Sequence, residues 1–256
     1  MNAAIHQSRR ARLAAQLGDG IAIIATAPEA TRNRDTHYPY RFDSYFYYLT
    51  GFTEPEAVAV IIGGETQRSL LFCRDKDETR EIWDGFRYGP PAAQQTFAFD
   101  AAYSIAELDT QLPELMGNVG KLAYAVGFDP AWDARVLGWL NAVRGKARQG
   151  IRAPTEIVDA RAMLDEMRLF KDSHEIDTMR RSGQIASDAH RRAMRATQPG
   201  RFEYEIEAEL LHHFYAQGAQ SPAYPSIVAG GANACVLHYV ENRASLRDGD
   251  LLLIDA

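Results

Sequence analysis

The C-terminal segment, residues 227–256, constrains the chain more than any other stretch. It places a histidine, His238, inside an otherwise strand-like run. The turn signal Asp248-Gly249-Asp250 then leads into an aliphatic run, residues 251–254, that ends in Asp255. This pattern predicts a buried strand with a carboxylate at its end, a common position for a metal ligand or a catalytic acid. The chain ends one residue later, so we expect it to stop inside its functional domain.

The composition is that of a globular protein. Hydrophobic residues make up 46% and charged residues 24% of the 256 residues, and no apolar run approaches the roughly 20 residues that cross a bilayer. The net charge of −6 argues against a function built on nucleic-acid phosphates. Cys73 and Cys235 fit no metal-binding spacing. We expect two packed, reduced thiols in a cytoplasmic protein.

Helix and strand patterns alternate through the first two thirds of the chain, which indicates an α/β domain. The patterns predict helices over residues 8–17, 131–143 and 163–170, strands over 21–25, 57–62, 69–73 and 121–126, and a polar loop over 28–41. The spacer Gly63-Gly64-Glu65 predicts a hairpin between the second and third of these strands.

Two consecutive helical patterns follow, and this change of architecture places a domain boundary near residue 170. Asp172 and Glu175 form a capping-box signal at the start of the first helix, and Pro199-Gly200 ends it. The second helix is predicted from residue 202 to about 217. We therefore predict domains over residues 1–170 and 171–256.

Each candidate functional residue also has an ordinary structural interpretation. Asp255 fits an exposed acid at a strand end, and one Asp never makes a metal site alone. On the residues alone, His238 fits a hydrogen-bonded core histidine better than a catalyst. Tyr224 fits a packed loop aromatic, and Trp83 fits a core anchor. The arginine pairs at 9–10, 180–181 and 191–192 are expected on solvated helix faces.

An ordered set of motifs resembles the bacterial-type Xaa-Pro aminopeptidases (aminopeptidase P) of the pita-bread metallopeptidase family. In the first part of the chain these are Tyr38-Pro39-Tyr40-Arg41, the aromatic residues 45–52 with Glu54-Pro55-Glu56-Ala57, and Glu81-Ile82-Trp83. Later come residues 167–171, Gly200 with Phe202-Glu203-Tyr204, Ile227-Val228, Leu237-His238-Tyr239 with Glu241-Asn242, and residues 248–256. Any one motif is weak, but this order over essentially the whole chain is specific.

The resemblance implies an α/β N-terminal domain with a mixed sheet, of the creatinase/prolidase N-terminal type. The first part of an α+β pita-bread catalytic domain would follow it. Also implied are two divalent metal ions, with manganese expected, held by two Asp, one His and two Glu. Asp255 matches the first Asp, and the other four ligands have no counterpart before Ala256. The fragment alone is therefore expected to lack the metal pair and to be inactive.

The implied reaction is hydrolysis of the bond between an N-terminal residue and a penultimate proline by a dinuclear metal-bridged hydroxide. His238 matches the histidine that hydrogen-bonds the substrate and the tetrahedral intermediate, and Tyr224 matches the tyrosine near the substrate. Trp83 and Asp35 match residues that, in tetrameric relatives, reach the catalytic pocket of a neighbouring subunit. The expected partners are peptides with proline at position two and further copies of the chain, as a dimer or tetramer. Nucleic acid and membrane are not expected partners.

Three other interpretations stay open at this point. A prolidase would cleave only Xaa-Pro dipeptides, although the segment around Trp83 favours the aminopeptidase. A catalytically dead pita-bread binding module, as in histone-chaperone relatives, typically loses metal ligands, whereas Asp255 and His238 are kept. The fragment could also be a folding or interaction unit, whose open strand at 251–254 would make it sticky or oligomeric.

Overall fold

The computed structural model describes residues 3–256, which form two compact units, one up to Leu169 and one from Phe170 to Ala256. The helices of the first unit are α1 (Ala3–Leu17), α2 (Ser44–Thr50), α3 (Glu78–Asp84), α4 (Gly89–Phe97), α5 (Leu108–Leu115), α6 (Pro130–Arg144) and α7 (Ala160–Leu169). Its strands are β1 (Gly20–Ala25), β2 (Thr31–Asn33), β3 (Thr36–His37), β4 (Val58–Ile62), β5 (Arg68–Cys73), β6 (Ala101–Ser104), β7 (Lys121–Tyr124) and β8 (Glu156–Asp159).

A six-stranded sheet in the order β6-β5-β4-β1-β7-β8 forms the centre of the first unit. Strand β4 is antiparallel to both β1 and β5, whereas β1 is parallel to β7, β7 to β8, and β5 to β6. The predicted hairpin is confirmed by the pairing of Val60 with Leu70 across it. The mixed α/β sheet that the resemblance implied is therefore present.

The central strands are buried on both faces of the sheet. On β1, Ala22 and Ile24 pack into one apolar cluster, while Ile21 and Ile23 pack into another. Helices α1, α2, α4 and α7 cover the first cluster, and α5 and α6 cover the second. A strand between two cores has no polar face, which is why this strand is apolar along its length.

The second unit contains α8 (Ser173–Ala196), α9 (Glu203–Ala216), β9 (Ile227–Gly230) and β10 (Leu252–Asp255). The predicted capping box of Asp172 and Glu175 opens α8. A small apolar cluster joins the two helices to β9, and its buried members include Ala189, Ala193, Ile206, Leu210, Phe214 and Val228. Strands β9 and β10 are antiparallel. Within residues 3–256, no helix has the length and apolar character to span a bilayer.

Three predictions of local structure are wrong. The polar loop at 28–41 contains a short antiparallel pair, β2 and β3. The strand-like run around His238 is a turn after the short 3-10 helix Gly231–Cys235. The strand at 251–254 is not fully buried, because Leu251 is 84% exposed and β10 alternates half-buried with exposed residues. Alternation of this kind is expected when only one face of a strand packs on a core.

The two cysteines also differ from the expectation of packed thiols. Cys73 is buried in the sheet, and burial raises the pKa of its thiol to about 12. Cys235 is exposed, because it ends the short 3-10 helix rather than continuing into a strand. Apolar neighbours in the sequence therefore did not guarantee burial at this position.

The arginine pair at 9–10 is buried, contrary to the prediction of a solvated helix face. Arg10 is 1% exposed, and its side chain lies 4.0 Å over the Phe99 ring. The Arg10 guanidinium donates hydrogen bonds to three backbone carbonyls, those of Leu49, Phe97 and Ala98. Burial lowers its pKa to about 10, so Arg10 stays charged at neutral pH. The pairs at 180–181 and 191–192 are exposed as predicted.

We predict that Arg10→Lys lowers the free energy of unfolding of the first unit by about 2–4 kcal/mol, because an ammonium cannot replace the planar fork of donors. All three tryptophans lie in this unit, so urea unfolding followed by tryptophan fluorescence measures its stability. The exposed Arg12→Lys is the matched control and should change stability by about 0.5 kcal/mol or less. Equal stability of the two variants would contradict a structural role for Arg10.

Candidate functional site

Strands β9 and β10 bring Asp255 and Tyr224 together. Asp255 is the last residue of β10 and pairs in register with Ile227, the first residue of β9. Tyr224 lies three residues before Ile227, in the loop that enters β9, and its hydroxyl donates a hydrogen bond to the Asp255 carboxylate. Both side chains are exposed. The two predicted site residues thus form one solvent-accessible pair.

The hydrogen bond further stabilises the neutral form of Tyr224. Its pKa is raised, because the Asp255 carboxylate accepts the phenol proton and its negative charge opposes formation of tyrosinate. Tyr224 is therefore a neutral donor at physiological pH. It engages Oδ1 of Asp255, and within residues 3–256 the Oδ2 atom takes no hydrogen bond.

His238 is presented to solvent rather than packed in the core. Its imidazole makes no hydrogen bond within the described part of the chain, and the residue is exposed. The neighbouring Val236, Leu237 and Val240 are 54%, 83% and 52% exposed. The interpretation of His238 as a hydrogen-bonded core histidine is therefore wrong, and the ring is accessible to a ligand.

A buried carboxylate that sequence reasoning missed holds the segment around His238. Glu203, the first residue of α9, is 0% exposed. Four groups donate to it: Gly230 N at 2.7 Å and Asn233 Nδ2 at 3.0 Å to Oε1, and Tyr239 Oη and Ala244 N, both at 2.8 Å, to Oε2. Burial opposes ionisation, but these hydrogen bonds outweigh it and lower the pKa of Glu203.

Asn242 is a second buried anchor in the same region. It is 1% exposed and adopts a positive φ of 49°, which asparagine tolerates better than most residues. Its Oδ1 accepts from Val228 N at 3.0 Å, and its Nδ2 donates to Ser226 O and Glu207 Oε2, both at 2.9 Å. The end of the His238 segment is therefore attached to β9 and α9.

Local sequence patterns do not indicate these two anchors. Glu203 and Asn242 lie within motifs that carried the resemblance, but an acid in the first turn of a helix is equally explained by the helix dipole. Asn242 is equally explained by a turn. Their contacts join residues far apart in the chain, which a local pattern does not report.

Trp83 and Asp35 belong to the first unit and are both exposed. Trp83 lies on α3 and is 82% exposed, so its interpretation as a core anchor is wrong. Asp35 lies in the turn between β2 and β3. Both side chains are accessible to another molecule.

A cavity of about 950 Å³ in the first unit lies at the carboxyl ends of β1 and β7. Its walls include Tyr45, Phe128, Trp132 and Arg161. None of the predicted site residues lines it. The cavity is therefore a feature separate from these residues.

Among the described residues, Asp255 is the one match to a ligand of the implied metal pair. Within residues 3–256, no group of three or more His, Cys, Asp or Glu side chains is arranged to hold a metal ion. Asp255 offers one exposed carboxylate, whereas a divalent ion needs several oxygen or nitrogen ligands. The described residues do not make a metal site by themselves.

Two family models match the chain, one within each compact unit. The model "Aminopeptidase P, N-terminal domain" matches residues 6–124, and the model "Metallopeptidase family M24" matches residues 177–256. The chain thus contains an aminopeptidase P N-terminal domain followed by a segment of the metallopeptidase family M24.

Three comparisons show how much of the length of its relatives the chain covers. It is 44% identical to the Xaa-Pro aminopeptidase of Escherichia coli, over 98% of the chain and 57% of that protein. Proline aminopeptidase P II from Yersinia pestis is 46% identical with a TM-score of 0.96, covering 100% of this chain and 59% of that one. Zinc-substituted E. coli aminopeptidase P in complex with product is 43% identical with a TM-score of 0.97, again covering 100% and 59%. The chain thus spans a little over half the length of these relatives.

We predict that Asp255→Asn lowers the pKa of Tyr224 towards the value of an ordinary tyrosine, because the substitution removes the negative charge that opposes tyrosinate. NMR titration of ring-labelled tyrosine, with the Tyr224 signal identified by its loss in Tyr224→Phe, measures this change. Asp248→Asn, an exposed acid in the turn before β10, should leave the titration unchanged. An unaltered Tyr224 pKa in Asp255→Asn would show that the two side chains are not paired in solution.

Proposed function

We propose that the protein is a metallo-aminopeptidase that hydrolyses the bond between an N-terminal residue and a penultimate proline. It is supported by the exposed Asp255, whose carboxylate accepts a hydrogen bond from Tyr224, and by the similarity of the chain to Xaa-Pro aminopeptidases. In this proposal Asp255 is the first Asp ligand, as the sequence resemblance implied. The proposal assigns residues 1–170 to the N-terminal domain and 171–256 to the first portion of the pita-bread domain. It also places the protein in the cytoplasm, a reducing compartment that suits its two free cysteines.

The complete site of this proposal contains two divalent metal ions, with manganese the expected metal. Such a pair supplies Lewis acidity and an activated water for hydrolysis. Asp255 is the one ligand that this chain contributes. The zinc-substituted state of the E. coli relative supports a divalent-metal site in this family. We propose that the 256-residue chain alone is inactive, since its described residues form no cluster of side chains that could hold a metal ion.

The remaining roles fall on His238 and Tyr224. The solvent-facing imidazole of His238 donates a hydrogen bond to the scissile carbonyl oxygen as negative charge develops on it. Tyr224 restrains the Asp255 carboxylate through its hydrogen bond. A proline at position two has no amide hydrogen and a fixed ring, so the substrate is recognised by ring shape rather than by that hydrogen.

Peptide hydrolysis tests the proposed function. We expect the full-length product of the gene, loaded with Mn²⁺, to cleave an Xaa-Pro-Xaa tripeptide with a higher kcat/KM than an Xaa-Pro dipeptide. Chelation should abolish cleavage, and the 256-residue chain should show none. Cleavage restricted to dipeptides would establish a prolidase instead. Absence of hydrolysis by the metal-loaded product on both substrates would favour a binding module.

The proposed homo-oligomer, a dimer or tetramer, gives Trp83 and Asp35 a role in a neighbouring subunit's site. We predict that Trp83→Ala and His238→Ala in the full-length product each lower kcat/KM by about 10²-fold or more, the scale of losing a transition-state contact. Mixing the two variants should restore activity, because a mixed oligomer contains sites with both side chains intact. His212→Ala, exposed on α9, is the control. No recovery on mixing would show that Trp83 does not act between subunits.

A further inference from the structure

Apolar burial does not fix the segment that carries His238. Val236, Leu237 and Val240 are all more than half exposed, and Glu241 and Arg243 are exposed as well. Within residues 3–256, hydrophobic packing therefore does not bury the side chains on either side of the histidine. In this part of the chain, hydrogen bonds hold the segment.

Glu203, at the start of α9, accepts the hydrogen bonds that position this segment. Asn233 precedes His238 by five residues, Tyr239 follows it directly, and Ala244 lies six residues after it. Each of these three donates a hydrogen bond to the same carboxylate. Tyr239 Oη also accepts from Asn233 Nδ2 at 3.1 Å, which closes the network around the turn. One buried side chain thus holds the segment before and after His238.

We infer that Glu203 is a positioning residue for His238: its buried carboxylate sets the place of the turn that carries the imidazole, and so the alignment of that ring with the substrate. This inference rests on the proposed function for the role of His238. It makes no claim that Glu203 touches the substrate.

A carboxylate is the group that this environment requires. Two of its partners are backbone N–H groups, of Gly230 and Ala244, which can only donate. Ionised Glu accepts through two oxygens, whereas Gln has one acceptor oxygen and an NH₂ group. In Glu203→Gln, the NH₂ group would face a backbone donor. The lowered pKa of Glu203 is in keeping with an ionised acceptor at neutral pH.

NMR of the 256-residue chain tests the positioning directly, with histidine labelled in the ring. The His238 signal is identified by its loss in His238→Ala. We expect Glu203→Gln to shift or broaden this signal. The His190 signal, from a ring bonded to Ala186 O within α8, should stay unchanged and report an intact second unit. The matched control is Glu209→Gln, because Glu209 lies on the same helix and pairs with Arg192.

Kinetics of the full-length product provide the second measurement. We expect Glu203→Gln to lower kcat by about 10- to 100-fold, the range found when groups that orient active-site residues are lost. KM should change by about twofold or less, since the loss lies in alignment rather than in binding. Glu209→Gln should match the unmodified enzyme. Tyr239→Phe should lower kcat less, and adding it to Glu203→Gln should have little further effect because the two groups act as one network.

The inference is overturned if Glu203→Gln leaves both the His238 signal and kcat unchanged. If Glu203→Gln unfolds and the His190 signal is lost, the same NMR measurement is made on Tyr239→Phe, which removes a single hydroxyl from the network. An unchanged His238 signal in Tyr239→Phe then overturns the inference. If the unmodified full-length product hydrolyses no Xaa-Pro peptide, the proposed function fails. The NMR measurement still tests the positioning in that case.

Discussion

A buried charge has to be satisfied by hydrogen bonds, and this constraint organises both units. Removing a charged group from water costs several kcal/mol unless partners replace the lost hydration. Arg10 meets most of the requirement through its two terminal nitrogens, which donate to backbone carbonyls from two separate segments, at Leu49 and at Phe97 and Ala98; its buried Nε has no hydrogen-bond partner among the described residues. Glu203 meets it with four donors. In each case the cost of burial is offset only when the partner segments are in place, so the charge specifies where those segments lie.

Apolar packing and polar anchoring have different tasks in this chain. The sheet of the first unit is defined by side chains that alternate between two cores, as on β1 and β4. The irregular segments have no such alternation. The turn around His238 and the loop ahead of β9 are held instead by Glu203, Asn242 and the Tyr224–Asp255 pair. In the described part of the chain, segments held in this way leave the side chains of the proposed site exposed.

The difference between these two kinds of order explains which features could be predicted. The hairpin of β4 and β5 and the capping box of α8 both follow from spacings of a few residues. The burial of Arg10 does not, since its partners lie 39 and 87 residues away. On the sequence alone, its arginine pair looks the same as the exposed pair at 191–192. For the candidate site, the resemblance indicated Asp255, Tyr224 and His238, but the contact between Asp255 and Tyr224 depends on the long-range pairing of β9 with β10. The segment that carries His238 depends on the distant Glu203.

The arrangement in the second unit separates groups that act from groups that hold. A metal ligand or a hydrogen-bond donor for a substrate needs an atom that is not already hydrogen-bonded within the protein. Among the described residues, the His238 imidazole and Oδ2 of Asp255 have no such bond and are open to solvent or to an incoming group. A side chain that positions another group needs its own donor or acceptor atoms to be hydrogen-bonded within the protein. Glu203 accepts from four donors, and the Tyr224 hydroxyl donates to Asp255. Exposure of His238 is therefore not a sign of a residue without a role. Its ring is accessible, while residues on either side of it in the chain are hydrogen-bonded to the buried Glu203. This combination suits the proposed role of a residue that meets a substrate in a defined direction.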